Sequence, residues 1–163
     1  SMKTNAPNVL RNEALTYADP NGAMVFGDGK RVAPEKACVA NASAVREWDS
    51  NGTVFGYNPK IPGHTAGEFG HNDFYPVVMA AAQVAGNIDG KKALKAMICL
   101  DEIRGRLAEV FSLKQYKIDR VVHGAVASAA VYGALMGATP EQIESAIGMT
   151  IAHYIPFRAI RAG

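Results

Sequence analysis

Residues 64–78 bring together side chains that can move protons within a short stretch of chain. This stretch contains two histidines, His64 and His71, together with two carboxylates and glycines that give the backbone freedom. Asp49 and Thr53 lie a little upstream in the run Arg-Glu-Trp-Asp-Ser-Asn-Gly-Thr. A histidine and a carboxylate held on either side of a substrate can serve as general acid and general base. The two segments therefore predict a proton-transfer site for a small molecule.

His71 is the stronger histidine of the two, because it directly precedes a predicted helix. The positive end of the helix dipole lowers the pKa of a nearby imidazole and favours its neutral, basic form. We predict that His71 and Asp49 form the acid–base pair, and the residues leave open which is which. The alternative for each is a loop histidine and a solvated aspartate at a helix end. His64, Glu68 and His71 match no common zinc-ligand spacing, so we predict no metal site there.

Composition excludes several classes of protein. The 163 residues are 48% hydrophobic, as in a globular chain, with 17 basic against 15 acidic residues. No block of lysine and arginine stands out, so we predict no nucleic-acid partner. Residues 121–138 carry no formal charge but are rich in small residues, which favours a buried helix over a membrane span. Cys38 and Cys99 are predicted to be buried thiols, and two cysteines cannot supply the usual ligand set of an iron–sulfur cluster.

The hydrophobic pattern predicts a mainly α chain. We divide it into an irregular N-terminal arm over residues 1–34 and part of a helical domain over residues 35–163. Residues 49–71 are predicted as a long irregular loop, which in a compact chain is usually functional. The arm contains a possible short strand at residues 23–26. Helices are predicted over residues 8–17, 34–48, 72–85, 90–111, 119–136 and 139–153.

Four segments resemble the MmgE/PrpD family. They are residues 40–53, 68–76, 117–123 and 136–142, and the likeness extends over residues 20–163. It is closest to the eukaryotic, mitochondrial branch that resembles 2-methylcitrate dehydratase. The resemblance implies that this chain is a piece of the helical domain of a longer protein, which would continue beyond residue 163.

The resemblance implies site residues and a reaction. The family's aspartate, threonine and loop histidine fall on Asp49, Thr53 and His71, and an arginine of the dehydratase branch falls on Arg46. The implied reaction is the dehydration of a small tricarboxylate, 2-methylcitrate, without a cofactor. Further expectations are a homodimer and a location in the mitochondrial matrix, with the cytoplasm as the alternative. Arg158 and Arg161 could also each clamp a substrate carboxylate, or lie exposed on the surface.

Two departures from the family pattern bear on alternatives. The decarboxylase branch has a second histidine where this chain has Ile118, which favours dehydration over decarboxylation of cis-aconitate. A carboxylate found next to the threonine in the family is replaced by Gly52. The remaining alternative is a non-catalytic helical fragment that binds other segments through exposed apolar stripes.

Overall fold

The computed structural model describes residues 4–48, 52–62, 64, 68–70 and 72–155, with the side chains of residues 53 and 68–70 left out. Contacts divide these residues into two compact units. The first unit holds residues 4–48, 52 and 72–97, and the second holds residues 53–62, 64, 68–70 and 98–155. Most described residues lie in helices, and the prediction of a mainly α chain is confirmed.

The first unit is three helices around a small hairpin, followed by the start of a fourth helix. Its elements are α1 (Asn5–Ala14), β1 (Ala18–Met24), β2 (Arg31–Val32), α2 (Pro34–Arg46), a 3₁₀ turn (Asn72–Phe74), α3 (Tyr75–Ala85) and the first part of α4 (Gly90–Val110). In this unit α2 packs against α1, α3 and the 3₁₀ turn, and α3 packs against β1. The turn at residues 72–74 is therefore held against α2, which ends at Arg46.

The segment predicted as an irregular arm is largely ordered within its described residues. β1 and β2 are antiparallel, with a bulge that sets Val32 opposite both Ala18 and Ala23. The hairpin buries Ala23, Val25 and Val32 in the main apolar cluster of the unit, against helix residues such as Ala37. Since strands with Pro, Asn and Gly are uncommon, the sequence pattern of β1 concealed a strand that tertiary packing stabilises.

The second unit contains the remainder of α4 and two further helices. Its elements are β3 (Thr53–Phe55), β4 (Glu68–Gly70), α4 from residue 98, a 3₁₀ turn (Leu113–Tyr116), α5 (Val121–Leu135) and α6 (Pro140–His153). α5 packs extensively against α6. At Gly133 an added Cβ would lie 2.8 Å from Cγ1 of Ile143, so the absence of a side chain lets the two helices approach closely.

Helix ends follow the signals that the sequence carries. The Thr139 hydroxyl accepts a hydrogen bond from the Gln142 amide, and the Gln142 side chain accepts one from the Thr139 amide. This reciprocal pair satisfies two backbone donors at the start of α6. α3 ends at Gly86, whose φ of 70° is the left-handed conformation that glycine adopts without strain. Such local signals are why the predicted helix bounds from the end of α3 at Ala85 onwards agree with the structure to within about two residues.

The predicted irregular loop 49–71 instead contains a strand pair. β3 and β4 are antiparallel, with Thr53 opposite Gly70, Val54 opposite Phe69 and Phe55 opposite Glu68. A strand of three residues is too short to show a clear alternation of apolar and polar residues. The sequence therefore did not predict this strand pair. Among the described residues no helix is both long and apolar enough to cross a bilayer.

Candidate active site

An ion pair joins the two segments that the sequence singles out. Arg46 is the last residue of α2, and its Nε lies 3.9 Å from Oδ2 of Asp73 in the 3₁₀ turn. Both side chains are largely shielded, with 27% and 17% of their surface exposed. The other oxygen of Asp73, Oδ1, is buried without a hydrogen-bond partner among the described residues. The pair links a residue three positions before Asp49 to a residue two positions after His71.

Arg46 was predicted to hold a substrate carboxylate, and the structure gives it a carboxylate of the protein itself. An arginine engaged through Nε still has a planar guanidinium that can carry further hydrogen bonds. Its role toward a substrate stays a prediction. Asp73 is a site residue that the sequence did not single out, because nothing in local periodicity indicates which distant side chain a first-turn acid contacts.

Thr53 is the first residue of β3, and its register partner is Gly70 at the end of β4. Gly70 is the residue that precedes His71 in the chain. The strand pair therefore brings the threonine of one predicted motif beside the backbone that leads into the other. The predicted hydrogen bond from Thr53 to a substrate remains untested.

Four of the predicted site residues lie outside the described residues: Asp49, His71, Arg158 and Arg161. Their assignment as acid–base pair and carboxylate-binding arginines stays a prediction. In the part of the chain that the structure describes, no group of three or more His, Cys, Asp or Glu side chains is arranged to hold a metal ion. The side chain of Glu68 and all of His71, two members of the metal spacing considered from the sequence, lie outside that part.

His64, the weaker histidine of the sequence analysis, is buried, with 5% of its surface exposed. Its Nδ1 lies 3.1 Å from the carbonyl oxygen of Gly56. Because a carbonyl can only accept, Nδ1 carries the proton in this contact. The ring lines a cavity of about 280 Å³ together with Tyr57, Asn58 and Glu109. The orientation of the His64 ring is thus fixed by this contact, which no local sequence pattern indicates.

A second buried polar group lies in the same unit, around His123. His123 on α5 and Arg104 on α4 are both almost fully buried, and so is Asp119, which accepts a hydrogen bond from the Val121 amide at 3.1 Å. Burial, and next the charge of Arg104, lower the pKa of His123 to about 4. The Nε2 of His123 is buried and has no hydrogen-bond partner within the described residues.

The two cysteines differ in their surroundings. Cys38 is partly buried on α2, and its thiol lies 3.6 Å from the carbonyl oxygen of Pro76. Burial, and then the nearby charge of Glu35, raise the pKa of the Cys38 thiol to about 11. Cys99 is exposed on α4, so the prediction that it is buried is wrong. The helical spacing around Cys99 did not reveal which side of α4 is covered.

The chain belongs to the MmgE/PrpD family, because the sequence model of the MmgE/PrpD N-terminal domain matches residues 1–163. It is similar to a 2-methylcitrate dehydratase from Cupriavidus necator, with 31% identity over 140 residues. That match covers 80% of this chain and 27% of the relative, so the chain spans about a quarter of the relative's length. No solved structure matches the chain.

Proposed function

We propose that this chain is part of a hydro-lyase that removes water from 2-methylcitrate to give 2-methyl-cis-aconitate. The family membership and the similarity to a 2-methylcitrate dehydratase support the reaction class. The observation that carries the proposal is the Arg46–Asp73 ion pair, which holds together the chain segments on either side of the presumed site. A proton-transfer site needs its acid and base to approach one substrate from two segments, and this pairing supports that requirement.

The chemistry requires one group to take a proton and another to give one. A base removes the proton from the carbon next to a carboxylate, a double bond forms, and the neighbouring hydroxyl leaves as water after it receives a proton from an acid. We assign these two roles to His71 and Asp49. Thr53 would hydrogen-bond the substrate, and Arg46, Arg158 and Arg161 would hold its carboxylates and stabilise the negative charge that develops.

The reaction is tested with the polypeptide that contains this chain at its natural length. Incubation with 2-methylcitrate should raise the absorbance of an unsaturated acid, and cis-aconitate should release no carbon dioxide. Carbon dioxide from cis-aconitate without any turnover of 2-methylcitrate would identify a decarboxylase instead. Activity on neither substrate would leave the non-catalytic alternative and overturn the proposal.

The role of His71 is tested in the same assay. His71→Ala should lower the rate by about 10²-fold or more, because it removes a group that transfers a proton in the transition state. His153→Ala is a matched control, since His153 is an exposed histidine at the end of α6. A His71→Ala enzyme with the wild-type rate would remove His71 from the mechanism.

We also propose a mitochondrial matrix location for the full protein, with the cytoplasm as the alternative. Its support is the resemblance to the mitochondrial branch of the family. Fractionation of cells with an antibody against the natural protein distinguishes the two compartments.

A further inference from the structure

His64 closes the turn between β3 and β4 with three hydrogen bonds. Its backbone amide donates to the carbonyl of Ile61 at 3.1 Å, and its own carbonyl accepts from the Asn58 amide at 3.0 Å. The third bond runs from the ring Nδ1 to the carbonyl of Gly56 at 3.1 Å. Gly56 directly follows the last residue of β3. The imidazole therefore ties the far side of the turn back to the end of the strand.

The same turn is anchored to α4 at the point where β3 ends. Gly56 has a φ of 63°, and a Cβ there would lie 2.5 Å from the carbonyl oxygen of Ala108. The Phe55 ring packs 3.2 Å from the place where a Cβ would stand on Gly105, with the guanidinium of Arg104 5.6 Å from the ring centre. The close backbone approach at Gly56 requires glycine, whereas a side chain at Gly105 would require the Phe55 ring to shift slightly. The end of β3 is thus packed in a defined position against α4.

A second attachment lies further along the turn. The side-chain amide of Gln115, in the 3₁₀ turn after α4, donates to the carbonyl of Pro62 at 2.7 Å. The contact is exposed, unlike the buried ring of His64. Its contribution should be smaller, since water can replace an exposed hydrogen bond. Gln115 therefore provides a matched control for His64.

The strand pair that the turn closes is too short to hold its register alone. An isolated two-stranded hairpin is at best marginally stable in water, and each of these strands has three residues. A slip by one residue would move every side chain of a strand to the opposite face. Thr53 opposes Gly70 in this register. Whatever fixes the turn consequently fixes the pairing of Thr53 with Gly70.

We propose that His64 is a positioning residue for the dehydration, acting through the bond from its Nδ1–H to the Gly56 carbonyl. This bond keeps the β3–β4 register and thereby keeps Thr53 opposite Gly70, the residue that precedes the presumed acid–base histidine in the chain. The inference rests on the proposed function for its catalytic consequence. His64 itself needs to touch no substrate. A displacement of about 1 Å at a substrate-binding group can cost up to ~10²-fold in rate, so an indirect role of this kind is measurable.

The test compares two replacements of His64 in the full-length enzyme. His64→Asn places an amide N–H close to the position of Nδ1, whereas His64→Leu fills similar space without a donor. We expect His64→Leu to lower kcat/KM by roughly tenfold to hundredfold and His64→Asn to stay within about threefold of wild type. The pH profile of kcat should be the same in all three proteins. Gln115→Leu should change kcat/KM less than His64→Leu does.

The route through Thr53 is tested by a double-mutant cycle. If His64 acts by positioning Thr53, His64→Leu should cost little further activity in a Thr53→Ala background. Fully additive effects would overturn the proposed route. Loss of one limb of the pH profile in both His64 variants would show that His64 transfers a proton itself, which also overturns the proposal.

A measurement without substrate separates this inference from the proposed function. Backbone amides of residues 53–55 should exchange with deuterium faster in His64→Leu than in wild type, and at the wild-type rate in His64→Asn. If the exchange rate of these amides is unchanged in His64→Leu, the positioning role is wrong, even if the enzyme dehydrates 2-methylcitrate. If the wild-type enzyme is inactive on 2-methylcitrate, the proposed function is wrong. The exchange rates would still show whether His64 holds the β3–β4 register. If His64→Leu does not fold, His64→Gln replaces it, because its amide cannot reach the place of Nδ1.

Discussion

At the scale of single residues, the buried imidazole of His123 makes the stability of the fold depend on pH. Burial and the charge of Arg104 lower its pKa to about 4, whereas an unfolded histidine titrates near 6.5. Between these two values the unfolded chain binds a proton that the folded chain does not. The free energy of unfolding therefore rises with pH across this window, and acidification from pH 6.5 towards pH 4 destabilises the fold.

We expect His123→Gln to remove this component of the pH dependence. Wild type should be less stable at pH 5 than at pH 7 by roughly 1–2 kcal/mol through His123 alone, and the variant should lack that difference. Urea unfolding followed by circular dichroism at both pH values measures it. His153→Gln, a change at an exposed histidine, should keep the wild-type dependence. An equal pH dependence in His123→Gln and wild type would contradict this assignment.

The sequence predicted single residues only as far as their burial. His123 lies on the apolar face of a helix, so its burial could be predicted, but not the missing partner of its Nε2. Asp73 and His64 show the same limit more strongly. Their partners, Arg46 and the Gly56 carbonyl, are set by packing between elements, and no local pattern encodes such contacts.

At the scale of elements, the β1–β2 hairpin depends on one glycine. A Cβ on Gly22 would lie 1.9 Å from the carbonyl oxygen of Val32 and 2.7 Å from its carbonyl carbon. Both are backbone atoms of the paired strand, so no side-chain rotation relieves the overlap. The strands would have to separate, which would expose the apolar residues that the hairpin buries.

Gly22→Ala should therefore lower the free energy of unfolding by roughly 3 kcal/mol or more. This is the upper range for substitutions that overpack a structure. Gly148→Ala is the matched control, since nothing lies within 4 Å of its Cβ position on the exposed side of α6. There the same substitution should stabilise by up to about 1 kcal/mol, because alanine favours a helix. Thermal unfolding of the two variants measures both. Equal midpoints would show that the hairpin tolerates a side chain at residue 22.

Helices and strands differed in how well the sequence predicted them. α4, α5 and α6 have periodic apolar positions and terminal signals such as Thr139 and Pro140, so their bounds were predicted closely. β1–β2 and β3–β4 are short, with a bulge in the first pair. These strands are stabilised by the elements they pack against, because residues such as Pro, Asn and Gly in β1 do not favour a strand.

At the scale of the whole molecule, several large apolar side chains lie exposed. Among the described residues, Trp48 has 70% of its surface exposed, and Val110, Tyr116 and Tyr154 are similarly uncovered. Exposed apolar side chains can be covered by contacts with other protein segments. The homodimer that the family resemblance implies would be one way to cover them.

We expect the 163-residue chain to associate with itself at micromolar to millimolar concentrations. Analytical ultracentrifugation over a concentration series should show a mass above that of the monomer. The association should persist when the salt concentration is raised, because apolar contacts are not screened as charges are. A monomer at every concentration would contradict self-association through these side chains. Association that disappears with salt would point to charged contacts instead.

The candidate site is the part of the molecule that the sequence predicted least directly. Its residues come from segments around positions 46–53, 71–73 and 158–161, and pattern analysis treats each segment by itself. The family resemblance supplied the set, and the structure adds two links between segments: Arg46 with Asp73, and Thr53 with Gly70. Such links depend on the packing of α2 against the 3₁₀ turn and on a three-residue ladder, which have no local sequence signature.

The unlike environments of the two cysteines make the chain suited to selective chemical labelling. With its thiol pKa raised to about 11, Cys38 stays protonated near neutral pH, and a protonated thiol reacts slowly with maleimides. Cys99 stands exposed on α4 and is open to such a reagent. A single fluorophore or spin label can therefore be attached to this 163-residue chain without any cysteine replacement. From that one position on α4, a spectroscopic probe could report on substrate binding or on the approach of a second copy.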